Sequence, residues 1–432
     1  MGNLRLTRPS KIRKFGVLEI VEEARVVELD DHGPCGDVKD SHTLSFPRSL
    51  LDAFLSKMVV VIPCKDEALS VIKGVISAVP ASCFVILVSN CSREQDDEYE
   101  RQVDMVKTLS NNGKHILSVH QKDLRAAASF QASGMPELLD PTNGTIRNGK
   151  GEGMLLGIAI AAAFCPQRRY VCFVDADNFN PTSVAEYCTA FAAGFAMSPS
   201  PELQHSMVRL KWASKPKIRD GQLEFVTEGR CSRIINSWLN KLFATASQTS
   251  STTDTAPDFI TTGNAGEHAM SMDLAIKLRM AAGYAIEPFH FIDLLERGHL
   301  VAAGDATPSL KITSKPLNKP VRILQIRTLN PHFHRLSDDD HIRRMWAAGL
   351  GSIYHGLAPY SSISQWSSGT VSELRNDMYE FAVKNDGIDE SSGDLPLPRI
   401  YSALEDLDFE VFKEVLGQSL GLLRAPAAEN RD

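Results

Sequence analysis

Residues 170–178 read Tyr-Val-Cys-Phe-Val-Asp-Ala-Asp-Asn, five apolar positions in a row followed by two carboxylates two residues apart. An apolar run that does not alternate is expected of a strand buried on both faces, as in a parallel sheet. Three more runs of this kind lie upstream: Met58 to Ile62 (MVVVI), Cys83 to Val88 (CFVILV) and His115 to Val119 (HILSV). Helical spacing occupies Val71–Val79, Gln95–Leu109, Asp123–Ala132 and Gly153–Phe164. Strand and helix alternating at this rhythm predict an α/β domain with a largely parallel sheet.

The polar residues after each strand point to function. MVVVI is followed by Pro63-Cys64-Lys65-Asp66-Glu67, CFVILV by Ser89-Asn90, and the third strand by His120-Gln121-Lys122-Asp123. In an open parallel sheet these carboxyl ends share one edge, where α/β proteins bind ligands. The pair Asp175 and Asp177 can hold a hard cation that bridges to phosphate oxygens. A D-x-D-x-[T/V] phosphatase would need Thr or Val where Phe179 stands. One aspartate could instead cap the helix that begins near Pro181.

Downstream, alternating segments at Ser206–Trp212 and Gln222–Thr227 read as antiparallel strands appended to the sheet, with turns at Lys215-Pro216-Lys217 and Asp220-Gly221. Helices are expected at Ser232–Ala246 and His268–Ala281, with a Ser/Thr-rich loop at Ser247–Pro257 between them. Gly149-Lys150-Gly151-Glu152-Gly153 opens an apolar helix and suits an anion at a helix N-terminus. It satisfies neither the P-loop pattern, since Gly151 replaces Ser/Thr, nor the dinucleotide fingerprint, since Leu156 replaces the third glycine. Arg209, Lys211, Lys215 and Lys217 form a basic cluster. After it, Gly229-Arg230-Cys231-Ser232 opens a helix where Arg230 could clamp a phosphate or carboxylate. Thr262 to Met270 (TGNAGEHAM) is a small-residue loop entering a helix, with Glu267 suited to its first turn. Asn330-Pro331-His332-Phe333-His334 offers two imidazoles, one of which could complete a metal site.

The chain has 432 residues, 43% hydrophobic and 23% charged, with a formal charge of -7. That balance argues against a nucleic-acid or anionic-membrane binder. The longest apolar run, Met154–Cys165, is too short to span a bilayer. Leu6 stands where myristoylation needs Ser or Thr. Eight cysteines without C-x-x-C spacing read as reduced thiols. A cytoplasmic protein is expected.

The strings Asp175–Asn178, Gly149–Met154, Thr262–Met270 and Asn330–His334 together resemble the mannosyl-3-phosphoglycerate synthase family. The similarity runs from about Phe15, through Val208–Lys217 (VRLKWASKPK), to Tyr354-His355. It implies a GT-A fold, a Rossmann-like mixed sheet, with 58–300 as the catalytic domain. Its nucleotide-binding half would be 58–178 and its acceptor half 179–300. Residues 1–57 would pack on it as an extension, and a mostly helical 301–432 would contribute a metal-binding His. The implied reaction moves mannose from GDP-mannose to the 2-hydroxyl of 3-phosphoglycerate, with retention and with Mg2+ or another divalent ion (Mn2+, Co2+ or Zn2+). Donor contacts would come from Pro63, Lys65, Glu67, Asn90, Lys122, Asp123, Lys150, Gly151 and Ala176. Asp175, Asp177 and Lys150 would be catalytic, and Gly229, Arg230, Ser232, Thr262, Gly263, Asn264 and Ala265 would line the acceptor. Asp177 would bind metal with His332 or His334, and a homodimer is suggested. Rival readings are a glucosyl-3-phosphoglycerate synthase, a sugar nucleotidyltransferase and a nucleotide-sugar-binding protein without turnover.

Overall fold

The computed structural model describes residues 3–30, 41–92, 98–178, 180–198, 202–219, 222–246, 259–300, 315–333, 339–357, 368–389, 391 and 393–417. Five short strands come first, β1 (Asn3–Thr7), β2 (Ile12–Phe15), β3 (Leu18–Val21), β4 (Ala24–Asp30) and β5 (Thr43–Phe46), then helix α1 (Arg48–Leu55). The alternating region follows: β6 (Met58–Cys64), α2 (Leu69–Ala78), β7 (Phe84–Ser89), α3 (Glu98–Asn111), β8 (His115–His120), α4 (Leu124–Ala132), α5 (Lys150–Phe164) and β9 (Tyr170–Phe173). Next are α6 (Pro181–Ala196), β10 (His205–Lys211), β11 (Lys215–Arg219), β12 (Gln222–Val226) and α7 (Arg230–Ala246). The remainder comprises β13 (His268–Ser271), α8 (Met272–Ala275), β14 (Met280–Ala281), α9 (Ile286–Leu295), β15 (Val321–Arg327), α10 (Asp339–Gly356), α11 (Ser368–Lys384), β16 (Ile400–Tyr401) and α12 (Phe409–Gly417).

The α/β class expected from the sequence is what the structure has. A 12-stranded mixed sheet runs β5-β1-β4-β15-β10-β13-β9-β6-β7-β8, with β3 also on β15 and β2 on β3. Strands β9, β6, β7 and β8 are mutually parallel, so their carboxyl ends do share one edge. Strand β13 is reversed between β9 and β10. Alternate residues of β6 point to opposite layers: Val59 and Val61 pack with α4 and α5, while Met58, Val60 and Ile62 pack with α2 and α6. Pro63 is tolerated in β6 because β9 pairing ends at Val61, so no ladder bond is lost there. Helix α5 is apolar around its whole circumference and buried. Its Gly157 lets it settle on β6, since a Cβ there would lie 2.4 Å from Val61 Cγ1. Among the described residues no helix is long and apolar enough to cross a membrane. The seven described cysteines are free, and all but Cys231 are buried.

Three expectations are corrected. His268–Ala281 is not one helix but β13, the single turn α8 and β14. The backbone of His268–Ser271 bonds to strands on both sides, and that pairing overrides its helical spacing. Ser206–Trp212 is not an appended strand either, because β10 lies in mid-sheet, parallel to β15. Lys215–Lys217, read as a turn, is instead strand, and β11 pairs only with β12 in a separate hairpin. The Ser247–Pro257 loop and the start of the Gln95–Leu109 helix lie outside the described residues.

The N-terminal strands join the sheet through β3 and β4 on β15. There Glu19 accepts from Arg322 at 2.8 Å and from Lys14 at 2.8 Å. Burial alone would raise its carboxyl, but Lys14, Arg322 and Gln204 outweigh that and hold it at about 2. A carboxyl held low contributes stability above its unfolded value of 4.5 and loses it as pH falls toward 2. Glu19→Gln should therefore melt lower than wild type at pH 6, and the gap should shrink steadily between pH 4.5 and pH 2.5 in thermal scans. A gap that does not change with pH would contradict this.

Candidate functional site

Asp175-Ala176-Asp177 leaves β9 between parallel β6 and antiparallel β13, at the middle of the ligand-binding edge. Neither carboxylate is spent on the following helix. Asn180 caps α6 by accepting from the Thr182 N–H, and Asn178 Oδ1 accepts from the Asn180 N–H. Asp175 instead takes the Lys150 ammonium at 2.7 Å, and Glu287 of α9 takes the same ammonium at 2.9 Å. Burial opposes the charge on Lys150, but these two carboxylates outweigh it and raise its proton affinity well above the ordinary lysine value. Gly266 must be glycine for the pair to form, because a Cβ there would lie 2.4 Å from Asp175 Oδ2 and 3.0 Å from Lys150 Nζ.

More carboxylates crowd the same spot. Asp177 is pushed up to about 7 by burial, then by Asp175 and Glu67. Glu267 is pushed up to about 8 by burial and Asp175. Its Oε2 accepts from Trp212 Nε1 at 3.0 Å, while its buried Oε1 has no hydrogen-bond partner. Glu267 lies at the head of mid-sheet β13, not in the helix turn expected for it. His332 is buried, stacks on Trp212 at 4.1 Å between centroids, and has its Nδ1 2.9 Å from the Tyr187 hydroxyl. Burial pushes it down to about 3, so the imidazole is neutral, the form that ligates metal. His334 lies outside the described residues. Among the described residues no three His, Cys, Asp or Glu side chains form a ready-made metal cage. The donor set nevertheless suits a hard cation, since the carboxylates at this edge raise one another's proton affinity.

The residues assigned to the donor sit on strand ends along this edge. The Lys65 N–H donates to Glu67 Oε2 at 2.6 Å, and Asn90 Nδ2 donates to Asn148 Oδ1 at 2.5 Å. Lys122 is exposed. Asp123 caps α4 by accepting from the Arg125 N–H at 2.8 Å. Ala176 is buried in the core, and Gly151 packs on the Ala281 carbonyl.

Beside the aspartates lies an open pocket. Its walls include Trp212, Glu228 and five of the seven residues assigned to the acceptor, namely Gly229, Ser232, Thr262, Asn264 and Ala265. Arg230 is exposed at the start of α7. Gly263 lies behind the wall, where its N–H donates to Asn236 Oδ1 at 2.7 Å. Arg209 is not part of the basic cluster expected. It is fully buried and donates to the Thr262, Gly263 and Glu287 carbonyls. Asn236 also donates to Glu228 Oε1 and the Thr261 carbonyl, and Gln325 Oε1 accepts from the Thr261 N–H. This loop is held by polar side chains from three elements.

Sequence reasoning missed Glu287, Trp212, Tyr187 and Asn236. A signal existed for Glu287, a carboxylate in the otherwise apolar start of IEPFHFIDLL, whereas Asn236 sits in a mixed helix where nothing marks it.

Comparison with known proteins gives consistent relatives. Residues 8–416 match the family model described as mannosyl-3-phosphoglycerate synthase. The chain is 37% identical over 403 residues to the mannosyl-3-phosphoglycerate synthase of Pyrococcus furiosus, covering 93% of this chain and 94% of that one. It is 31% identical over 353 residues to the Aeropyrum pernix protein of the same name, covering 81% and 85%. Among solved structures, a glucosyl-3-phosphoglycerate synthase from Mycobacterium tuberculosis, in complex with Mn2+, UDP and phosphoglyceric acid, aligns with a TM-score of 0.43 at 19% identity. That alignment covers 71% of this chain and 81% of the other.

Asn236→Ala should leave the Gly263 N–H and the Thr261 carbonyl without their side-chain partner, at a cost of about 1–3 kcal/mol in urea unfolding. Asn236→Asp keeps the acceptor for Gly263 but sets a carboxylate against Glu228, so it should recover no more than part of the loss. Wild-type stability in the alanine variant would show that the loop does not depend on this bond.

Proposed function

The chain belongs to the mannosyl-3-phosphoglycerate synthase family, and on that premise we propose that it transfers mannose from GDP-mannose to the 2-hydroxyl of 3-phospho-D-glycerate. The products are mannosyl-3-phosphoglycerate, with the anomeric configuration retained, and GDP. The observation that carries this reading is the edge where Asp175, Asp177, Lys150 and Glu287 meet beside the cavity lined by Gly229, Ser232 and Thr262. One side suits a metal-bound diphosphate and the other a small phosphorylated acceptor.

Asp177 would hold a divalent cation together with one imidazole, His332 or His334. Bound there, Mg2+ or a similar ion would neutralise the charge growing on the departing GDP. Lys150 adds a fixed ammonium at the same edge, already oriented by two carboxylates and needing no rearrangement as charge develops. Glu287 is held by Lys150, and Glu267, which accepts from Trp212, is pushed up to about 8, so neither stands as a ready carboxylate nucleophile. We therefore favour attack by the acceptor hydroxyl on the face the GDP leaves, assisted by the leaving phosphate. Mass spectrometry of enzyme trapped with GDP-mannose should find no mannosyl adduct on Glu267 or Glu287.

GDP release with Mg2+ and 3-phosphoglycerate tests the reaction itself. GDP-mannose should support turnover, GDP-glucose and UDP-glucose should not, and Asp177→Ala should lower the rate by about a hundredfold or more. Preference for a glucose donor would assign the sister activity, and tight nucleotide binding without turnover would make this a binding protein.

A further inference from the structure

The acceptor of the proposed reaction carries two anionic groups, and only its phosphate has a site so far. Its carboxylate is bonded to the carbon that bears the reacting hydroxyl. With that hydroxyl at the donor, the carboxylate would lie toward the carboxylate-rich edge, where a cation of its own would hold it.

Apart from Arg230, already set against the acceptor, and Lys217, the neighbour of Lys215, four cations stand at the cavity or the metal edge, and three are committed elsewhere. Arg209 is enclosed by backbone carbonyls. Lys211 lines the cavity, but its Nζ lies 3.7 Å from Glu23. Lys150 is shared by Asp175 and Glu287. Lys215, half-buried at the base of the β11–β12 hairpin, makes no ion pair among the described residues.

Its position is set by the backbone before it. The Thr328 N–H donates to the Lys211 carbonyl at 2.9 Å, the Ala213 N–H to Thr328 Oγ1 at 3.1 Å, and the His332 N–H to the Ser214 carbonyl at 2.8 Å. From that anchor Lys215 Nζ lies 5.6 Å from the ring centroid of Trp212, which lines the cavity and stacks on His332. Asp177 and Glu267 act on its charge from the metal edge and Cys231 from the start of α7. Lys215 thus flanks Trp212, which lines the cavity and also meets Glu267 and His332 of the metal edge.

We propose that Lys215 is an acceptor-binding residue whose ammonium takes the carboxylate of the phosphoglycerate and so selects it over phosphorylated alcohols that lack one. This rests on the reaction proposed above. Burial, then the neighbouring Lys217, pushes Lys215 down to about 8, as expected of an ammonium short of counter-charge.

The test measures GDP release for wild type, Lys215→Met and Lys215→Arg with saturating GDP-mannose and Mg2+. The acceptors are 3-phosphoglycerate and glycerol 3-phosphate, which has the same hydroxyl and phosphate but no carboxylate. Lys215→Met should lose about tenfold or more in kcat/KM for 3-phosphoglycerate, mostly through KM. Its KM for GDP-mannose, its melting temperature and its activity or inhibition by glycerol 3-phosphate should stay near wild type, and Lys215→Arg should recover part of the loss. An unchanged KM for 3-phosphoglycerate, or equal loss toward both acceptors, would overturn the assignment of Lys215 and leave the reaction intact. Absence of wild-type turnover with GDP-mannose and 3-phosphoglycerate would overturn the reaction first and this assignment with it.

Discussion

A single half-buried ammonium, that of Lys150, organises the centre of this molecule. It is the first residue of α5 and binds Asp175 at the end of β9 and Glu287 in α9. The consecutive α5 and β9 and the distant α9 are thereby drawn to one point on the sheet edge. In a low-dielectric setting such a triad is worthwhile only if all members are present, because removing the cation strands two charges. Around it Asp177, Glu67 and Glu267 hold protons more tightly than usual, each raised first by its own burial and then by its carboxylate neighbours. The edge has a surplus of negative charge, which makes it receptive to cations.

The adjoining loop at residues 259–265 is ordered by a different device. It contains no regular structure, so its backbone groups are satisfied by side chains. Asn240 and Asn236 reach it from α7, Arg209 from β10 and Gln325 from β15. Gln325 also donates to the Val21 carbonyl, so the N-terminal strands are linked to the cavity wall through one buried amide. The wall is rigid because it is spanned from several sides, not because its own sequence prefers one conformation.

Apolar runs closed by polar residues were enough to read β6, β7, β8 and β9 and the edge they form. Each run is buried on both faces, so its pattern owes nothing to distant partners. The Asp pair, Lys150 and most of the adjoining cavity wall were legible for a related reason, since their residue types mark them locally. What was not legible depended on distant pairing. His268–Ser271 became a strand because β9 and β10 flank it, and Arg209 left the surface because the Thr262 and Gly263 carbonyls surround it. Glu287 and Asn236 serve the site from within helices, where spacing shows which face is buried but not what it meets.

The place of β15 carries a further consequence. Residues 321–327 lie between β4, made within the first 30 residues, and β10, so the sheet is closed by a segment more than 290 positions from the N-terminal strands it receives. Until the ribosome has delivered that segment, β3 and β4 lack their neighbour and the edge of β10 is bare. Non-local pairing of this kind slows folding and exposes unpaired edges along the way. The N-terminal strands must therefore wait in partial pairing, β1 with β4 and β5, and dock only once residue 327 has been made.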